Sequence, residues 1–103
     1  MKTSLDSPTQ SRKRAPQYAL RLYIAGVTSH SRRAVANIKE ICERNFPGGY
    51  SLQIVDLYQQ PELTQKEQIV ATPTLVKIRP LPACRFVGDI SDSSKVLSKL
   101  KKH

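Results

Sequence analysis

The stretch IVATPTLVKIRPLP, Ile69 to Pro82, narrows the possible folds more than any other part of the chain. Its apolar run, Thr74 to Ile78, reads as a β-strand with Pro73 at its mouth and the turn Pro80-Leu81-Pro82 beyond its end. Proline has no N–H to give to a ladder, so inside a sheet it is confined to strand entries, edges and bulges. Flanked by two threonines at a strand mouth, Pro73 is also a candidate for a cis peptide bond. A strand fixed in this way requires partners from elsewhere in the chain.

Those partners are legible as periodicities. Tyr18 to Ala25 alternates, with Tyr18, Leu20, Leu22 and Ile24 on one face and Arg21 and Tyr23 on the other, as a strand does. Gly26 ends it, and Ser29 is the expected N-cap of a helix reaching about Phe46, with Val35, Ile38, Ile41, Cys42 and Phe46 at three- and four-residue steps. Pro47-Gly48-Gly49 stops that helix. Leu52 to Leu57 is a second strand, and an intervening helix makes the pair parallel. Pro61 to Gln68 reads as a short helix, Arg85 to Val87 as a fourth strand antiparallel to the third, and Ser91 to Lys102 as a final helix built on Val96, Leu97 and Leu100. The order βαβ, α, ββα is that of a thioredoxin-like α/β domain: a four-stranded mixed sheet with helices on both faces.

At 103 residues the chain is one such domain, expected over residues 17–103, preceded by a basic, disordered tail over residues 1–16. Hydrophobic residues are 39 % of the chain and no apolar run approaches membrane-spanning length. The first sixteen residues lack the apolar segment of a secretory signal, and the two cysteines are not in a C-x-x-C pair, so a reduced, cytoplasmic setting is expected. The net charge of +9 sits mainly at the ends: Lys2, Arg12, Lys13 and Arg14 in the tail, Lys99, Lys101 and Lys102 at the C-terminus. Such ends speed association with acidic surfaces or nucleic acid. A nucleic-acid-binding module is therefore the alternative reading, weakened by an aromatic content of 6 % with no basic-aromatic interleaving.

Catalysis finds no foothold. Thiol chemistry on this fold needs a cysteine at the start of the first helix, where the helix dipole stabilises a thiolate. That position reads Ala25-Gly26-Val27-Thr28-Ser29-His30-Ser31. Cys42 and Cys84 are expected to be buried small hydrophobes. His30, between two serines, has no acid placed to orient its ring, and His103 is terminal. Asp56, Glu62 and Glu67 are too scattered for a metal cage, and no glycine-rich phosphate loop occurs. The expectation is a protein that is not an enzyme and carries no cofactor or metal.

Four blocks, LRLYIAG (Leu20–Gly26), YSLQIVDL (Tyr50–Leu57), IVATPTLVKIRPLP (Ile69–Pro82) and VGDISD (Val87–Asp92), resemble in order those of the KaiB family of circadian-clock proteins. The resemblance runs from about Tyr18 to Leu97. It implies a non-enzymatic partner of KaiC, a hexameric ATPase ring, and a family whose members exist in two folds: a thioredoxin-like form that docks on the ring and a refolded, tetrameric resting form. It places the docking face at Ser51 and Gln53 of the second strand, Arg33 of the first helix and Arg85. The three prolines then have two readings: they shape a strand entry and turn, or they serve a chain that passes between two backbones, since each Xaa-Pro bond offers a second isomer. Departures from the family pattern are Gln53, where clock members carry lysine, and basic rather than acidic ends. They favour a KaiB-like homologue in a stress or signalling pathway over a core oscillator component. Lys99 and Lys101 stand where the family tends to carry glycine and aspartate, which makes them candidate determinants of fold state. Both favour the helical, thioredoxin-like form, as a monomer or small dimer.

Overall fold

The computed structural model describes residues 16–87 and 90–101. The elements are β1 (Tyr18–Ile24), α1 (Ser29–Asn45), β2 (Tyr50–Asp56), α2 (Glu62–Lys66), β3 (Thr74–Arg79), β4 (Cys84–Val87) and α3 (Ser93–Leu100). They form one four-stranded sheet in the order β2-β1-β3-β4. β1 pairs parallel with β2 from Tyr18↔Tyr50 to Ile24↔Asp56, and antiparallel with β3, which pairs antiparallel with β4. The order and strand directions read from the sequence hold.

The main core lies on one face of the sheet. Tyr18, Leu20, Leu22 and Ile24 of β1 and Leu75 of β3 pack against Ala34, Ile38, Ile41 and Cys42 of α1 and Val96 and Leu100 of α3. Burying each large aliphatic side chain contributes about 1.5–3 kcal/mol, so this layer is what holds α1 and α3 to the sheet. The opposite face has a smaller cluster in which Tyr23 and Val55 meet Leu57 and Ile69, with Leu63 of α2 packed against them. Five residues of helix cannot cover a four-stranded sheet, and on that face Ser51 and Gln53 of β2 and Arg85 and Val87 of β4 stay exposed.

The N-cap of α1 is Thr28, not Ser29. Thr28 Oγ1 accepts from Ser31 N–H at 3.1 Å, and Ser31 Oγ accepts from Thr28 N–H at 2.8 Å. Both residues offer a hydroxyl, but only Thr28 has a hydroxyl three positions on to close a reciprocal capping box, and that decides the start. Strand and helix ends otherwise move by no more than two residues. Asp92 caps α3 by accepting from Lys95 N–H at 3.2 Å, and the helix ends at Leu100 with Lys101 as its C-cap. The Thr72-Pro73, Arg79-Pro80 and Leu81-Pro82 bonds are all cis. The expected tail lies outside the described residues except for Pro16, whose carbonyl accepts from Arg79 Nη2 at 3.4 Å. Lys102 and His103 lie outside them as well.

Candidate partner-docking face

Strand register decides which side chains share a face, because residues directly opposed across a ladder project to the same side. Gln53 of β2 opposes Arg21 of β1, Arg21 opposes Val76 of β3, and Val76 opposes Arg85 of β4. These four residues form a row across the open face, with exposed Ser51 beside Gln53 at the β2 edge. The row is internally bonded. Arg21 Nε donates to Gln53 Oε1 at 3.0 Å, and Arg21 Nη1 to the Tyr23 hydroxyl at 3.3 Å. Arg85 reaches the exit of α2, where Nη1 donates to the Gln68 carbonyl at 3.0 Å and Nη2 to the Glu67 carbonyl.

Of the four expected docking residues, Ser51, Gln53 and Arg85 thus lie on one face. Arg33 does not. It is exposed on α1, on the helix-covered side, beside a cavity lined by His30, Pro73 and Ile90. Arg21 belongs with the row and was not singled out from the sequence; the signal for it is its register opposite Gln53. Lys99 sits in the last turn of α3, its Nζ donating to the Arg85 carbonyl at 3.3 Å and lying 5.5 Å from the Phe86 ring centroid. Beside it Lys77, only 1 % exposed, donates from Nζ to the Leu100 carbonyl at 3.3 Å. A cation on the C-terminal carbonyls of a helix satisfies orphan acceptors and opposes the negative end of the dipole.

The loop where a thioredoxin would hold its nucleophile is occupied by structural bonds. Ser31 Oγ donates to the Gly26 carbonyl at 2.8 Å, and Asp56 Oδ1 accepts from the Gly26 and Tyr58 N–H groups, each at 2.9 Å. Asp56 is committed to tying the β1 and β2 exits together. Cys42 is fully buried, and burial, aided by the neighbouring Glu43 carboxylate, pushes its thiol up to about 11 from an ordinary 9.0. It stays a neutral thiol at neutral pH. Cys84 is only half-buried, contrary to expectation, because it opens an edge strand; its Sγ lies 4.0 Å from the Lys99 carbonyl. Glu43 also raises the Tyr50 hydroxyl to about 12 by accepting its proton in a 2.6 Å hydrogen bond. Among the described residues no cluster of three or more His, Cys, Asp or Glu could hold a metal ion, and no helix is long and apolar enough to cross a membrane.

Fold and site together define a thioredoxin-like domain whose helix entry carries no thiol and whose sheet exposes polar side chains at its two edge strands. The backbone is similar to that of the Drosophila melanogaster thioredoxin Deadhead, with a TM-score of 0.63 at 19 % identity over 82 % of this chain and 81 % of that one, a likeness of fold alone. It is also similar to the N-terminal domain of Synechococcus elongatus SasA, with a TM-score of 0.60 and 28 % identity over 91 % of this chain and 89 % of that one. Residues 21–101 match the KaiB domain. Over 80 residues, 78 % of the chain, it is 50 % identical to the circadian clock oscillator protein KaiB of Prochlorococcus marinus subsp. pastoris, covering 75 % of that protein. It is 48 % identical to the KaiB of a Synechococcus strain, covering 78 % of it. The chain belongs to the KaiB family, whose members are clock regulators and not enzymes.

Proposed function

We propose that the chain is a non-enzymatic regulatory protein that docks in its thioredoxin-like form on a KaiC-type hexameric ATPase, in the cytoplasm, as a monomer or small dimer. The observation that carries this reading is family membership over residues 21–101, joined to an open sheet face where the family's docking positions Ser51 and Gln53 stand exposed. Arg85 and Arg21 extend that face across the sheet, while Arg33, on the other side, acts as a steering charge. The chain's net charge of +9 speeds encounter with an acidic ring, and the sheet face supplies the packing that holds the complex. Salt therefore lowers the association rate more than it shortens the lifetime. Gln53 replaces a family lysine, so this chain serves a ring of a stress or signalling pathway in preference to a core oscillator.

Capture of a purified KaiC-type hexamer on the immobilised chain tests the reading. Gln53→Lys strengthens capture and Ser51→Glu weakens it, each by roughly 1.5- to 5-fold, the range of one exposed charge contact. No capture in any nucleotide state would overturn the proposal. Recovery of nucleic acid alone from a lysate, abolished by removing residues 1–16, would assign the chain to the nucleic-acid class instead.

A further inference from the structure

On the helix-covered side, the described residues leave the space between α1 and the edge strand β2 unfilled. A groove of about 390 Å³ lies there, lined by Ile24, Val27, Val35, Ala36 and Ile54. Val27 is 66 % exposed and Ile54 37 %. Arg32, Val35, Ala36 and Lys39 all line it, and at i, i+3, i+4 and i+7 they form one stripe of the helix. At 1.5 Å rise per residue the two cations stand about 10 Å apart, one beyond each end of the apolar pair. Among the described residues no carboxylate lines the groove. The acids of α1 are used elsewhere, Glu40 with Arg44 at 3.0 Å and Glu43 with the Tyr50 hydroxyl at 2.6 Å.

We infer that this groove is the docking site of an acidic amphipathic helix from a partner protein. Two adjacent aliphatic side chains seat on Val35, Ala36 and Ile54, and carboxylates seven residues apart meet Arg32 and Lys39. Charge complementarity selects this occupant over the alternatives. The chain's own N-terminal segment carries Arg12-Lys13-Arg14, and a second copy brings a net charge of +9, so either would set like charge against the rim. The groove lies on the side of the sheet opposite the Gln53–Arg21–Val76–Arg85 row, so it stays open when that row is occupied and does not depend on the ring-docking proposal.

The test is a titration of the full-length, isotopically labelled chain with a helical peptide of about 16 residues, long enough to hold a helix, centred on Glu-Ala-Ala-Leu-Leu-Ala-Ala-Glu. The methyl resonances of Val27, Val35 and Ile54 shift on binding. Arg32→Glu with Lys39→Glu, both on the exposed helix surface, weakens binding about tenfold or more, and a peptide with both glutamates changed to lysine regains affinity for that variant but not for the parent. Circular dichroism of the double variant unchanged from the parent confirms that it is folded. Equal binding to parent and double variant, equal binding of a peptide with both leucines changed to serine, or an absence of methyl shifts overturns the inference. So do shifts that grow with protein concentration alone, which would put a second copy in the groove, or shifts produced by removing residues 1–15, which would put the chain's own tail there.

Discussion

Replacing Lys99 by glycine and Lys101 by aspartate, the residues that the sequence resemblance implies at these positions, perturbs the end of α3 through its backbone propensity, the contacts of the Lys99 ammonium and the helix dipole. Glycine near the helix end costs about 0.8–1.0 kcal/mol in backbone propensity relative to alanine, with lysine close to alanine. Loss of the Lys99 ammonium removes its place 5.5 Å from the Phe86 ring, worth about 0.5–1 kcal/mol at an exposed site. An aspartate at the C-cap puts an anion on the negative end of the dipole, at about 0.3–1 kcal/mol. The double variant is therefore less stable by about 2–3 kcal/mol, which for a domain of this size lowers Tm by on the order of 10–20 °C. Urea titration measures the first quantity and calorimetry the second. Lys99→Ala removes the ammonium, with its Phe86 and Arg85-carbonyl contacts, without adding a glycine, and Lys101→Asp isolates the dipole. If Lys99→Gly costs no more than Lys99→Ala, α3 is not held as a helix in solution and the reasoning fails. Light scattering of the double variant adds an independent readout: if the refolded tetramer that the sequence resemblance implies is within reach of this chain, it gains population here and not in the parent.

Cys84, half-buried, is alkylated by iodoacetamide in the native protein at pH 8, while Cys42 reacts only on unfolding; mass spectrometry of the labelled peptides reads both, and native labelling of Cys42 would refute its burial. Because the folded state raises the Cys42 thiol from 9.0 to about 11, its contribution to stability is fully present below pH 9 and is lost as pH rises through about 11. Urea midpoints between those values fall less steeply for Cys42→Ala than for the parent. Gly26→Ala destabilises by about 1–2 kcal/mol because Gly26 adopts φ +79 and an added Cβ would meet the Tyr58 ring at 2.9 Å. Tyr58→Ala in the same background recovers little of it, since Tyr58 is 75 % exposed and can swing aside whereas the backbone cannot; full rescue would show that the clash, not the φ, carries the cost.

What the sequence made legible was local. Alternation in Tyr18–Ile24 and three- and four-residue steps in α1 identify elements because the period and the buried face belong to the same segment. The start of α1 shifted by one residue because the choice between Thr28 and Ser29 depends on a third residue, Ser31, and a T-x-x-S pattern could have been read for it. Register is different. That Gln53, Arg21 and Arg85 share a row depends on pairings between strands far apart in sequence, which no single segment contains. Lys77 shows the intermediate case. Alternation with Leu75 places it on the core face, so the sequence announces a lysine where an apolar residue is expected, but its acceptor, the Leu100 carbonyl, lies 23 residues further on. Burying a cation at that site depends on acceptors brought in from a distant segment, here the end of α3.

Arg85 carries this point into function. Read from sequence it is a surface charge free to meet a partner; in the structure its guanidinium ties β4 to the carbonyls of Glu67 and Gln68, where Gln68 takes a positive φ of 55°. A partner carboxylate that engages Arg85 either adds to those bonds from the open side or displaces them. Displacement leaves the α2 exit without its donors, and a turn that has lost them is freer to move relative to β3. Docking through Arg85 is then coupled to the segment that leads into Thr72-Pro73, whereas docking through Gln53 and Ser51 at the β2 edge is not. Arg85→Lys separates the two: it keeps the charge but lacks the planar fork whose two nitrogens each hold one carbonyl, so it loosens residues 67–72 in hydrogen exchange while leaving the electrostatic part of partner capture in place. Unchanged exchange across residues 67–72 in that variant would mean that the turn is held by its own backbone bonds, Glu67 N–H to Leu63 and Ile69 N–H to Thr64, both at 2.8 Å, and that Arg85 is free to serve the partner alone.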